Sequence, residues 1–268
     1  MKQFRSIAVM LMAAATLTVS CSKNDDNDYH TDPPTQPPAP IKSTVISASG
    51  DLTAALTQFR SILGDSLNIT PGKTSGRREV NWDGVPAAQT NNNTFPFDFF
   101  NVTDPVANGG RKRGLVYASS GVSFRIDSTS YAEIDISYAS EFKPFSGKRL
   151  FVATNNVADV FFKVPGTNTD AFVKGFGLVL SDVDDANSTT LEFFSGTKSL
   201  GVFKAPVRKD ANGFSFLGVQ FPDEKVTRVR ITAGNGLLAT GTKDISAGGT
   251  KDLVVMDDFF YSEPLPFN

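Results

Sequence analysis

From Glu79 onward the chain shows short apolar runs broken by Gly, Asn, Asp and Pro. Regularly spaced runs of this kind predict strands joined by turns. The runs are residues 115–118, 122–126, 131–136, 150–153, 157–164, 171–180, 189–194, 199–205, 214–220, 226–232 and 253–261. Within 226–232, Val229 and Ile231 alternate with Arg228 and Arg230, so one face is predicted dry and the other wet. Residues 173–180 are apolar on both faces apart from Lys174 and glycines, which predicts a central strand. Upstream the period changes. Leu52, Leu56, Phe59 and Leu63, with Ala55 and Ile62 beside them, follow helical spacing. Ser47 or Ser49 is placed to cap this helix, Asp51 falls in its first turn, and Gly64 marks its end. The stripe predicts a helix that covers an open edge or end of a sheet, and residues 45–47 a short strand before it. The expected fold is an all-β, jelly-roll-type β-sandwich with one N-terminal amphipathic helix, formed by residues 41–268 as a single domain. Residues 69–113 read as a long irregular stretch, and long loops in compact domains often carry function.

The first forty residues follow a different logic. Lys2 and Arg5 precede an apolar run from Ile7 to Val19 that is short for a membrane span, so residues 1–20 read as a signal peptide. Leu17-Thr18-Val19-Ser20-Cys21 resembles a bacterial lipobox, in which Cys21 carries the lipid. The alternative is a plain secretory signal with an incidental Cys. The acidic run after Cys21 (Asp25, Asp26, Asp28) resembles the surface-export signal of lipoproteins in Bacteroidota. Pro33, Pro34, Pro37, Pro38 and Pro40 favour polyproline II, a semi-rigid spacer. Residues 21–40 therefore read as a tether. The expected location is the bacterial outer membrane, anchored by lipid and facing the exterior.

Composition removes several classes of chemistry. The 268 residues hold one Cys and one His, and His30 lies in the tether. A disulfide framework, a Cys-rich zinc site and a His-based triad are all excluded from the folded part. With 26 Lys+Arg against 28 Asp+Glu, no basic block stands out that could neutralise a row of phosphates, so no nucleic-acid partner is expected. The 23 Phe against five Tyr and one Trp fill space without a polar tip, and most are expected in the core.

Several strings carry a resemblance: Gly76 to Pro86, including Asn81-Trp82-Asp83-Gly84-Val85-Pro86; Gly175 to Asp184, ending Ser181-Asp182-Val183-Asp184; and Val254 to Pro264, containing Asp257-Asp258-Phe259-Phe260-Tyr261. They are similar to a group of secreted bacterial β-sandwich proteins of uncharacterised function. The final strand is also similar to that of jelly-roll carbohydrate-binding domains. That second likeness implies a structural calcium held in part by an Asp near the strand end.

Candidate chemistry follows from carboxylates and the single Trp. Asp182 and Asp184 close the predicted central strand, and Asp257 and Asp258 lie in the apolar last one. A carboxylate forced inward needs a partner or a metal, and calcium, Arg78 or Arg113 would each serve. Trp82 stands among Asn81, Asp83, Arg77 and Arg78, which could bond the hydroxyls of a sugar stacked on the ring; it could equally pack at a sheet corner. Glu79 and Asp83 are the one carboxyl pair beside an aromatic, as a glycosidase or lyase would need. The expected function is a non-catalytic surface module for extracellular glycan, with calcium as its possible cofactor and polysaccharide as partner. A glycan-cleaving enzyme and an adhesin-like surface protein are the alternatives.

Overall fold

The computed structural model describes residues 40–211 and 213–267. The expected signal peptide, the expected lipidation site Cys21 and the Pro-rich segment before residue 40 lie outside the described residues. The short runs become strands in nearly every predicted place, as β1 (Thr44–Ser49), β2 (Arg77–Val80), β3 (Leu115–Tyr117), β4 (Phe124–Asp127), β5 (Leu150–Ala153), β6 (Val157–Phe162), β7 (Ala171–Phe172), β8 (Gly175–Ser181), β9 (Thr190–Ser195), β10 (Lys198–Lys204), β11 (Phe214–Gln220), β12 (Arg228–Thr232), β13 (Val255–Ser262) and β14 (Leu265–Pro266). Helices α1 (Thr53–Leu63) and α2 (Tyr138–Glu141) complete the regular elements, with three single 3₁₀ turns.

Among the described residues, a seven-stranded antiparallel sheet runs β1-β11-β8-β13-β5-β4, with β2 also paired to β13. A five-stranded sheet runs β10-β9-β12-β6-β3. From β5 onward the chain passes repeatedly between the two sheets, which is how a jelly roll closes its sandwich. The inner faces meet in one core that includes Phe176, Leu178 and Leu180 of β8 and Val229 and Ile231 of β12. The alternation read in β12 holds: Arg228 and Arg230 reach outward to Asp159 on β6. Strand β8 is buried along its whole length and lies inside its sheet, as an apolar run on both faces requires.

Helix α1 explains that double burial. It lies on the outer face of the seven-stranded sheet, where Leu56, Phe59 and Leu63 pack with Val179, Phe216 and Phe260. The helix thus covers a face and not an edge or end. Phe59 reaches the sheet because Gly177 and Gly218, paired across β8 and β11, leave no side chain beneath its ring. No serine caps the helix; Asp51 Oδ1 accepts the Thr53 N–H at 2.9 Å instead. Gly64 ends it at φ 134°, a backbone angle that other residues rarely adopt.

Two further expectations fail locally. Residues 131–136 do not form a strand, because Asp127 Oδ1 accepts the N–H groups of Thr129 and Tyr131 and folds the chain into a turn. The stretch 69–113 is not wholly irregular, since β2 within it adds an antiparallel strand to β13.

Candidate functional site

Strand β8 ends at Ser181, and Asp182 follows with φ 73°, which turns its side chain out of the strand's alternation. The loop then brings Asp184 alongside. Glu141 comes from the end of α2, and Asp244 from the loop before β13. Oxygen atoms from these four carboxyls all lie within 4.8 Å of one another. Arg208 enters from the β10–β11 connection and pairs with Asp182, with Asp184 at 2.5 Å and more distantly with Glu141 at 3.9 Å.

The charges do not balance. Four carboxyls face one guanidinium, and Asp182 is fully buried. Burial, reinforced by contact with Glu141, pushes the Asp182 carboxyl up to about 9. Burial and contact with Asp244 raise Asp184 despite its bonds to Arg208. Carboxyl pairs this close need a shared proton or a cation between them. Their neighbours fix them in place: Asp244 accepts the N–H groups of Ser246 (2.6 Å) and Leu253 (2.7 Å), and Asp252 accepts those of Asp184 and Asp185 at 3.1 Å. The cluster could hold a metal ion, and its all-oxygen donor set suits a hard cation. Asp182 and Asp184 were legible as candidate ligands in the sequence. Glu141 and Asp244 were not, since each lies in an ordinary-looking loop far from the other pair.

Asp257 and Asp258 do not join this cluster, nor do they pair with Arg78 or Arg113. They face each other and the loop at residues 145–146: Asp257 Oδ2 accepts the Phe145 N–H at 2.6 Å, and Asp258 Oδ1 accepts the Ser146 hydroxyl at 2.6 Å. Both partners expected of them are spent elsewhere. Arg78 is fully buried in a bidentate pair with Glu263 (2.7 and 2.8 Å) and also donates to the carbonyls of Thr70 and Lys112. Arg113 donates to the Asn68 carbonyl at 2.9 Å.

The Trp82 loop forms a second feature. Trp82 takes φ 65°, and the Asp83 N–H bonds the Asn81 carbonyl at 2.8 Å, a tight γ-turn that is strained for a bulky residue. Its ring is 1% exposed and stacks on Phe151 at 4.3 Å and 8°. Phe100 and Phe259 meet it edge-on. The ring therefore belongs to the core and offers no open face to a sugar. Asp83 is likewise turned aside, its Oδ1 accepting the Lys148 N–H at 2.8 Å.

Above this ring lies a small cavity of about 180 Å³. Its walls include Asn81, Trp82, Phe99, Asn108, Arg111 and Arg113, and Glu79 of β2. Of the residues expected to bind glycan, Asn81 and the covered Trp82 reach it, while Arg78 and Asp83 do not. Glu79 is held between Arg60 and Arg77, each at 2.9 Å, and these bonds keep its carboxyl below the usual range against the opposing effect of burial. A general acid needs the opposite shift. The cavity arises because the loop at residues 99–113 folds over β2, which residue spacing alone did not signal. No protein-family profile matches this chain, and no curated protein matches it.

Proposed function

We propose that this chain is a surface-exposed lipoprotein, anchored at the outer membrane through Cys21, whose β-sandwich is a non-catalytic module for extracellular glycan. The observation that carries this reading is the cavity beside β2. Asn81, Asn108, Arg111 and Arg113 line it together with Trp82, Phe99 and Phe100. Planar amides and guanidiniums are suited to bonding the paired hydroxyls of a sugar, while buried aromatic rings give the floor its shape. Recognition in this reading is polar, since Trp82 is covered. The same reading assigns calcium to Glu141, Asp182, Asp184 and Asp244, where a divalent ion would offset the surplus negative charge and tie α2 to the loops around it.

The test is a broad glycan array probed with the protein, with and without calcium. Binding to a defined set of saccharides, weakened by Asn81→Ala, supports the proposal. Absence of binding under both conditions overturns it. The cleaving-enzyme alternative would need Glu79 and Asp83 to flank one cleft, and only Glu79 reaches this cavity.

A further inference from the structure

The polar groups around the cavity are not neutral in sum. Glu79 is its single acidic wall residue among the described residues, and Arg60 and Arg77 already engage that carboxylate. Arg111 and Arg113 make no ion pair among the described residues. The Arg111 guanidinium carbon lies over the Phe99 ring at 3.8 Å from its centre, and its Nε donates to the Phe99 carbonyl at 2.9 Å. Its two Nη groups meet no acceptor among the described residues. Arg113 is half-buried, and among the described residues its side chain makes a single bond, to the Asn68 carbonyl. Glu79 acts on Arg113, but Arg60 and Arg77 already share that carboxylate, so an anion would complete the neutralisation of this half-buried cation. The Nε1–H of Trp82, another wall residue, is buried and meets no acceptor among the described residues. Asn81 is exposed at the rim, and its side-chain amide bonds nothing among the described residues.

We propose that the cavity takes an anionic sugar residue, its carboxylate or sulfate held by Arg111 and Arg113 and its hydroxyls by Asn81 and Asn108. This deepens the glycan-binding reading and rests on it. The volume of about 180 Å³ lies below the roughly 300–1,000 Å³ of sites for drug-sized ligands, so one ring or the end of a chain enters and the rest stays outside. Guanidinium is the side chain best matched to a two-oxygen anion, and the stacking on Phe99 presents it already oriented. Asp83, turned away onto Lys148, adds no repulsion.

The experiment titrates the full chain with three oligosaccharides of equal length: a uronic acid oligomer, a sulfated oligomer and a neutral one. Calorimetry gives affinity, and the fluorescence of Trp82, the single Trp, reports whether the ligand reaches this cavity. The expected result is binding of an anionic oligomer that weakens with added salt and falls roughly ten- to hundredfold on Arg113→Gln or Arg111→Gln, the loss that goes with one charge-assisted hydrogen bond. Asn81→Ala, which touches no packed group, weakens binding even if an arginine variant misfolds. Preference for the uronic acid oligomer assigns carboxylate as the anion, and preference for the sulfated one assigns sulfate. Equal binding of the neutral oligomer, insensitive to both arginine variants, overturns this inference and leaves the glycan-binding reading standing. Failure of all three to bind, together with an empty glycan array, overturns both.

Discussion

Asp257 and Asp258 are consecutive in β13, yet both carboxyls turn to the same loop. In the ladder with β8, Met256 pairs with Leu180 and Phe259 with Leu178, so one extra residue is inserted in β13. That bulge breaks the alternation that would have sent the two side chains to opposite faces. Ser146 bonds both carboxyls, by its N–H to Asp257 and its hydroxyl to Asp258.

The pair makes stability depend on pH. Burial first, and then the neighbouring Asp258, push the Asp257 carboxyl up to about 9. Asp258 is raised too, by burial, with Glu79 adding to the shift and Arg60 opposing it. In the unfolded chain Asp257 ionises near its ordinary value of 3.8. The native state therefore holds more protons between the two values. The stability from the protonated pair is complete below about pH 4 and declines as pH rises toward 9. Asp257→Asn keeps the shape and a donor toward Asp258. Its melting temperature is expected to exceed the parent's at pH 8, with the gap closing at pH 4. Parallel curves for the two proteins from pH 4 to 9 would contradict this.

Calcium is expected to raise the melting temperature, and a chelator to reverse the rise. At a calcium concentration 100 times Kd, mass action stabilises the native state by about 2.7 kcal/mol. Asp182→Ala and Asp244→Ala should each abolish the response, while Asp258→Ala should keep it. Melting curves unmoved by calcium would make the four carboxyls a proton-sharing network around Arg208.

Breaking the Arg78–Glu263 pair should be costly. Both side chains are essentially closed to solvent, and Asn68 Nδ2 also donates to Glu263 at 2.8 Å. Arg78→Met leaves a buried carboxylate uncompensated, with an expected loss of about 3–5 kcal/mol in urea denaturation. Arg78→Met with Glu263→Gln should lose clearly less. Equal losses would mean the arginine acts through packing alone.

Gly147 holds the Trp82 loop in place. It has φ 55°, and a Cβ there would fall on the Asp83 carboxylate. Gly147→Ala should cost about 1–3 kcal/mol. Removing the obstacle with Asp83→Ala should recover part of that, so a double-mutant cycle in urea reads the contact directly. Additive losses would place the strain in the backbone instead.

Most of the local elements can be read directly from the order of residues. The 2-residue period of β12, the two-sided apolar run of β8 and the helical stripe of α1 are local patterns, and each reappears in the fold. They succeed because burial acts residue by residue along a regular backbone. What depends on packing between distant segments was decided only by the tertiary structure. Glu141 reaches Asp182 and Asp184 from the end of α2 and Asp244 from a separate loop, and no spacing links them. The bulge that puts Asp257 beside Asp258 exists only in register with β8. Trp82 reads equally well in sequence as a sugar platform or a core ring. The stack on Phe151, some seventy positions along the chain, settles it, because an aromatic face already in contact with another ring is closed to a ligand.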